Sequence, residues 1–183
     1  IGMKDIDFQN VYSSDSGRTL QTARTILGTM GIRNHIIPTE GLREYNFGYY
    51  EGRDEAVLEE ELKAKSNVSF ADMGTKPEEV VNAIAILDKE KKAGETNTWY
   101  AETGIEFVER LMKATNEIVN ESLNLGDKEL LIVSHGMSIA FLISQLCPEG
   151  WAEIEFAGIS NASVSTVVYE NGKYRLVSFA EVK

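Results

Sequence analysis

Three stretches of this chain hold residues whose types and neighbours suit chemistry. The first is YSSDSGR at 12–18, where Arg18 falls in the first turn of an expected helix. A helix N-terminus offers unpaired N–H groups and positive potential, and an arginine fork adds two parallel hydrogen bonds that fit a phosphate or a carboxylate. The bland alternative is a surface arginine paired with Asp15. The second stretch is LLIVSHGMSI at 130–139. His135 follows an apolar run at once and precedes a glycine-led helix, which is a poor place for mere packing. A core histidine satisfied by backbone groups stays the alternative. The third is EGLREYNFGYYEG at 40–52, which carries Glu44 among Tyr45, Phe47, Tyr49 and Tyr50. Those rings would desolvate its carboxyl and raise its pKa towards the range of a general acid. Alone, Glu44 would read as a solvated loop carboxylate.

Other chemistry finds little support. His35, in or beside a short strand, is expected to have no catalytic role. There is no G-x-x-x-x-G-K-[ST] loop, no G-x-S-x-G elbow and no H-E-x-x-H. With two histidines and one cysteine, a zinc site would need several carboxylates as well, so no metal is expected. The net charge of −11 opposes binding to nucleic acid or to an acidic membrane. It leaves room for a small anion held by a local cluster of cations. A lone Cys147 rules out an internal disulfide and fits a reducing, cytoplasmic setting. No apolar stretch approaches the roughly 20 residues that cross a bilayer, and no signal peptide is visible.

These residues need elements to hold them. FQNVYSS at 8–14 has a β-like run ending near Asp15 and Ser16, both good helix N-caps. From Gly17, Leu20, Ala23, Leu27 and Met30 recur at helical spacing until Gly31 stops them. HIIPT at 35–39 is a short strand, and 40–52 reads as an ordered loop. Helices are expected over 53–65, over 77–92 with Pro77 at its first position, and over a long stretch from 105 to 122. In the last, Ile105, Val108, Met112, Thr115, Val119 and Ser122 are expected to mark one face, with Leu111 and Ile118 beside it. ELLIVS at 129–134 has the continuous apolar character of a strand buried on both faces, and a buried helix follows over 137–146. Two late strands flank Asn171-Gly172, a strong hairpin signal. Strands alternating with helices argue for an α/β domain with a mainly parallel sheet, spanning 1–183, with 53–101 as a helical insertion or lid.

Together, VYSSDSGRTLQTARTIL, LREYNFGYYEG and LLIVSHGMSI, in this order, resemble the histidine phosphatase superfamily, in its phosphoglycerate mutase-like branch. The ending NASVSTVVYENGKYRLVSF is also similar. The resemblance covers nearly the whole chain and is weakest over 53–101. It implies a three-layer fold with helices on both faces of a mainly parallel sheet. It also implies phosphoryl transfer through a phosphohistidine, without cofactor or metal. By motif, Arg18 would be the second arginine of the phosphate pocket, His135 its second histidine and Glu44 the general acid, with Gly136 beside the substrate.

One departure matters. The family's Arg-His-Gly motif, which carries the nucleophile and the first pocket arginine on the first strand, is not in these 183 residues. His35 does not match it. The expectation is that a preceding segment supplies this strand, with a pseudoenzyme as the alternative, and that 11–14 and 130–134 lack a neighbour without it. Ile1 is also an unusual start. A smaller departure is TGIEF at 103–107, where Glu106 is shifted from the usual Gly-Glu-Ser, which puts a substrate contact there in doubt. The expected function is a phosphomonoester hydrolase, with a cofactor-dependent phosphoglycerate mutase as a further alternative. The expected partner is a small phosphorylated substrate, with no nucleic acid and no membrane. A homodimer is left open.

Overall fold

The computed structural model describes residues 3, 5–96, 99–156 and 158–182, and the chain divides into two compact units. The first comprises Ile1–Glu44, Arg110–Ile154 and Gly158–Lys183; the second comprises Tyr45–Glu109 and Glu155–Ala157. The stretch 53–101 lies wholly inside the second.

The first unit is built on a parallel sheet of β1 (Asn10–Ser14), β2 (Ile36–Thr39) and β3 (Leu130–Val133), in the order β2-β1-β3. Val11 stands beside Ile36 on one side and Leu131 on the other. β1 is therefore the central strand and has both neighbours, contrary to the expectation that it would lack one. Among the described residues β3 pairs with β1 alone. Its residues alternate between two apolar layers. Leu131 and Val133 join Phe8, Val11, Ala23 and Leu27 on the face covered by helix α1 (Gly17–Met30). Leu130 and Ile132 pack against Tyr12, Leu42, Ala114 and Ile118 on the other face. Ala114 and Ile118 belong to a long helix whose start lies in the second unit. Helices thus cover both faces of the sheet, as the sequence led us to expect. Burying apolar side chains on both faces is what requires the continuous apolar run of β3.

Helix α1 ends at Gly31, whose φ of 72° suits a residue without a Cβ. Its N-terminus departs from expectation. Ser16 takes the N-cap position but makes no side-chain cap bond. Instead, the Thr19 hydroxyl donates back to the carbonyls of Ser14 and Ser16 at 2.8 and 2.9 Å.

The second unit holds α2 (Glu55–Lys65), α3 (Pro77–Lys91) and the start of α4 (Gly104–Leu125). Pro77 opens α3 with Glu78 and Glu79 in its first turn, as expected. Asp88 on α3 is fully buried and accepts from the amides of Tyr49 and Ala101 at 2.6 and 2.8 Å, with Lys92 at 2.8 Å. The apolar stripe of α4 runs through Phe107, Leu111, Ala114 and Ile118, not through Ile105, which is 69% exposed. The steps of four, three and four residues track the helical repeat more closely than a series begun at 105.

In the first unit, α5 (Gly136–Leu146) and the short α6 (Pro148–Trp151) follow β3. β4 (Ser163–Glu170) and β5 (Lys173–Val182) form the antiparallel hairpin, with positive φ at Asn171 and Gly172, as a primed turn requires. No helix among the described residues is long and apolar enough to cross a membrane.

Candidate active site

Parallel strands bring their C-terminal ends to one edge, where ligands of open α/β sheets collect. β1 ends at Ser14, β3 leads into His135, and the loop after β2 carries Arg43 and Glu44. All belong to the first unit. His35 precedes β2, at the opposite end of the strands.

Arg18 points at His135. Its Nε and Nη2 lie 3.1 and 2.9 Å from the ring Nδ1. The other ring nitrogen, Nε2, lies 2.9 Å from Ser14 Oγ. The imidazole is buried while Arg18 is exposed, so the cation faces solvent and the ring is clamped behind it. Burial holds the His135 pKa below its ordinary value. The Glu44 carboxylate pulls it up, Arg18 and Arg110 push it down, and Asp15 pulls it up again more weakly.

The bland pairing of Arg18 with Asp15 does not occur. Asp15 instead takes both arms of the Arg43 guanidinium, at 2.7 and 2.6 Å, while the third nitrogen of Arg43 reaches Glu40 at 2.6 Å. The Arg43 hydrogen bonds hold the Asp15 carboxyl below its usual range, against the opposing effect of burial.

Glu44 has donors that the sequence did not point to. The rings near it in sequence have partners of their own in the second unit: Tyr45 packs edge-on against Phe47 and Phe107, and Tyr49 against Tyr50. The Glu44 carboxylate sits instead at the N-terminus of α5. Oε1 accepts the amide and the hydroxyl of Ser138, both at 2.9 Å, and Oε2 accepts the Met137 amide at 3.2 Å. His135 is the N-cap residue of α5 but makes no side-chain cap bond, so Glu44 performs that task from a distant loop. This contact ties the candidate acid to the same helix start that bears His135. Gly136, the first residue of α5, is exposed, and the nearest atom to a Cβ placed there would be Ile159 Cβ at 4.0 Å. Packing therefore does not demand a glycine.

Three residues that sequence reasoning passed over position this loop. Arg110, on α4, donates to the carbonyls of Gly41 and Arg43 at 2.9 Å each and of Glu44 at 3.2 Å. The Ser134 hydroxyl donates to the Leu42 carbonyl at 2.8 Å, and the Ser138 hydroxyl also lies 2.9 Å from the Arg43 carbonyl. Arg110 left one signal in the sequence. It stands three residues after Phe107 and four before Ala114, on the apolar stripe, where a charge needs partners. Glu106, whose role was in doubt, caps α4 by accepting the Thr103 amide and hydroxyl at 2.8 Å each.

The cluster therefore offers a cation fork, an imidazole and a carboxylate at one strand edge, a set that can bind and turn over a phosphoryl group. Known proteins place the chain in a family. The model of the histidine phosphatase superfamily (branch 1) matches residues 2–182. A probable phosphoglycerate mutase of Yersinia enterocolitica is 31% identical over 90% of this chain and 65% of its own length. A broad-specificity phosphatase of Saccharomyces cerevisiae is 28% identical over 91% of this chain and 60% of its own. The crystal structure of a phosphoglycerate mutase from Bacillus anthracis superposes with a TM-score of 0.85 at 30% identity, over 99% of this chain and 76% of that one. This chain thus spans roughly two thirds of the curated relatives it matches. It belongs to the histidine phosphatase superfamily, branch 1.

Proposed function

We propose that the protein is a cofactor-free phosphomonoesterase that works through a phosphohistidine. The observation that carries this is the convergence of Arg18, His135 and Glu44 at the C-terminal ends of β1 and β3. As the ester bond breaks, negative charge spreads over the phosphoryl oxygens, and fixed donors such as the Arg18 fork and the His135 ring lower the barrier by meeting it. Glu44 protonates the departing alkoxide and then helps to activate water.

The nucleophile is a second histidine on a strand added to the free edge of β3. That edge carries no strand among the described residues, and β3 leads directly into His135. Phosphoryl transfer to that histidine and release to water complete the cycle. A mutase reading has one specific point in its favour, the names of the Yersinia and Bacillus relatives. Against it, 53–101 carries more acidic than basic residues, a balance ill suited to hold a doubly phosphorylated glycerate.

The complete protein is expected to hydrolyse p-nitrophenyl phosphate in the presence of EDTA. Arg18→Ala and His135→Ala are each expected to lower kcat/KM by about two to three decades. Strong inhibition by EDTA sinks the mechanism, and wild-type turnover in either variant removes that residue from the site. Hydrolysis slower than transfer between phosphoglycerate positions would select the mutase. An upstream reading frame without Arg-His-Gly would select a noncatalytic phosphate-binding protein.

A further inference from the structure

The Arg18 fork is used in a way that leaves its geometry unfilled. Two of its nitrogens converge on one atom, His135 Nδ1, whereas a guanidinium fork matches two separate oxygens. Arginine is always protonated and cannot accept, so Nδ1 must be the bare nitrogen of a neutral ring and the ring proton must lie on Nε2. Nε2 then donates to Ser14 Oγ, 2.9 Å away. Ser14 is fully buried at the end of β1, and its Oγ also receives the Ser16 amide at 3.4 Å.

A phosphate ion entering between the fork and the ring changes what Nδ1 faces. Its oxygens accept, so Nδ1 has to carry a proton to bind one. The ring either gains a second proton or moves the one it has. Burial and the two guanidinium groups of Arg18 and Arg110 oppose a further positive charge, while the carboxylates of Glu44 and Asp15 favour it, with burial the largest effect. Moving the proton requires a partner at Nε2 that can reverse its role, and a hydroxyl is both donor and acceptor.

We propose that Ser14 is a positioning residue that lets His135 exchange tautomers as phosphate binds. The bond Nε2–H to Oγ of the free protein becomes Oγ–H to Nε2 in the complex, and Nδ1–H is given to a phosphate oxygen. The ring stays neutral. One proton leaves Nε2 for water, one reaches Nδ1 from water or from the hydrogen phosphate ion, and Ser14 keeps its own. This role rests on the phosphate site proposed above and goes beyond it, because the site alone is equally compatible with an imidazolium.

The test is ¹⁵N NMR of the full-length protein, titrated with inorganic phosphate. Residues 1–183 hold two histidines, His35 and His135, and the signals lost in His135→Gln assign its ring nitrogens among those of every histidine in the full-length protein. The expected result is Nε2 protonated and Nδ1 bare in the free protein, reversing at saturation. Ser14→Ala is expected to weaken phosphate binding about tenfold and to abolish the reversal, while Ser14→Thr, which keeps the hydroxyl, restores both. A complex with both nitrogens protonated, or with Nε2 still carrying the proton, overturns the role of Ser14 and leaves the phosphate site standing. Spectra that phosphate leaves unchanged at every concentration overturn the site and this inference with it. The tautomer measurement needs only the wild-type protein, so a variant that fails to fold does not remove the test.

Discussion

Replacing Arg110 with methionine probes how firmly the loop that carries Glu44 is held. Methionine keeps an apolar stem of similar reach and removes the guanidinium. Three hydrogen bonds, to the carbonyls of Gly41, Arg43 and Glu44, disappear together. Bonds from a charged donor are worth about 1.5–3 kcal/mol each when sealed from water, but Arg110 is half-buried and the freed carbonyls can reach solvent. Each is better valued at about 0.5–1.5 kcal/mol, which sums to about 1.5–4.5 kcal/mol. For a chain of this length that corresponds to a melting temperature lower by about 5–15 °C. Urea denaturation followed by circular dichroism reads the loss as a shifted midpoint at constant slope. Hydrogen exchange adds a local readout. Loosening the loop frees the Glu44 carboxylate from α5, so the Met137 and Ser138 amides should exchange faster. A loss below about 0.5 kcal/mol, with unchanged exchange at those two amides, refutes the clamp.

Three further outcomes follow from the same geometry. A Cβ at Gly41 would lie 2.5 Å from Ala114 Cβ, so Gly41→Ala should destabilise by about 1–3 kcal/mol, and adding Ala114→Gly should recover part of that; no recovery contradicts the contact. The folded-state pKa of His135 lies below its ordinary 6.5, so its stabilising contribution is complete above pH 6.5 and is lost as pH falls through the lower folded value. The stability of the wild type should therefore fall more steeply over that window than that of His135→Gln, and equal slopes in urea titrations refute the shift. The Asp15–Arg43 fork is partly exposed, at 29% and 43%, so a double-mutant cycle with alanine should give a coupling of about 0.5–1 kcal/mol that shrinks with salt. A salt-independent coupling contradicts it.

What the sequence disclosed was mostly local. The Asn171-Gly172 turn, Pro77 at the start of α3 and Gly31 at the end of α1 are set by backbone preferences of single residues, and all three stand as expected. The apolar run of β3 was legible because burial on two faces leaves no polar position. Long-range choices were hidden. Asp15 chose Arg43 over its sequence neighbour Arg18, because the end of β1 lies against the loop after β2 and Arg18 turns to β3. The donors to Glu44 were hidden for the same reason. They come from α5, more than 90 residues later in the chain. Ser14 looked like one serine among several until the fold placed it under the His135 ring.

The central claim is that Arg18 and His135 bind the transferring phosphoryl group with Glu44 beside its leaving oxygen. A crystal structure of the complete protein with orthovanadate tests this most directly, since vanadate adopts the shape of the phosphoryl group in transfer. The account predicts vanadate oxygens within hydrogen-bond distance of both arms of the Arg18 fork and of His135 Nδ1, with the Glu44 carboxylate next to the apical oxygen. Vanadate bound elsewhere, or a site in which Arg18 still grips His135 at saturating vanadate, would contradict it.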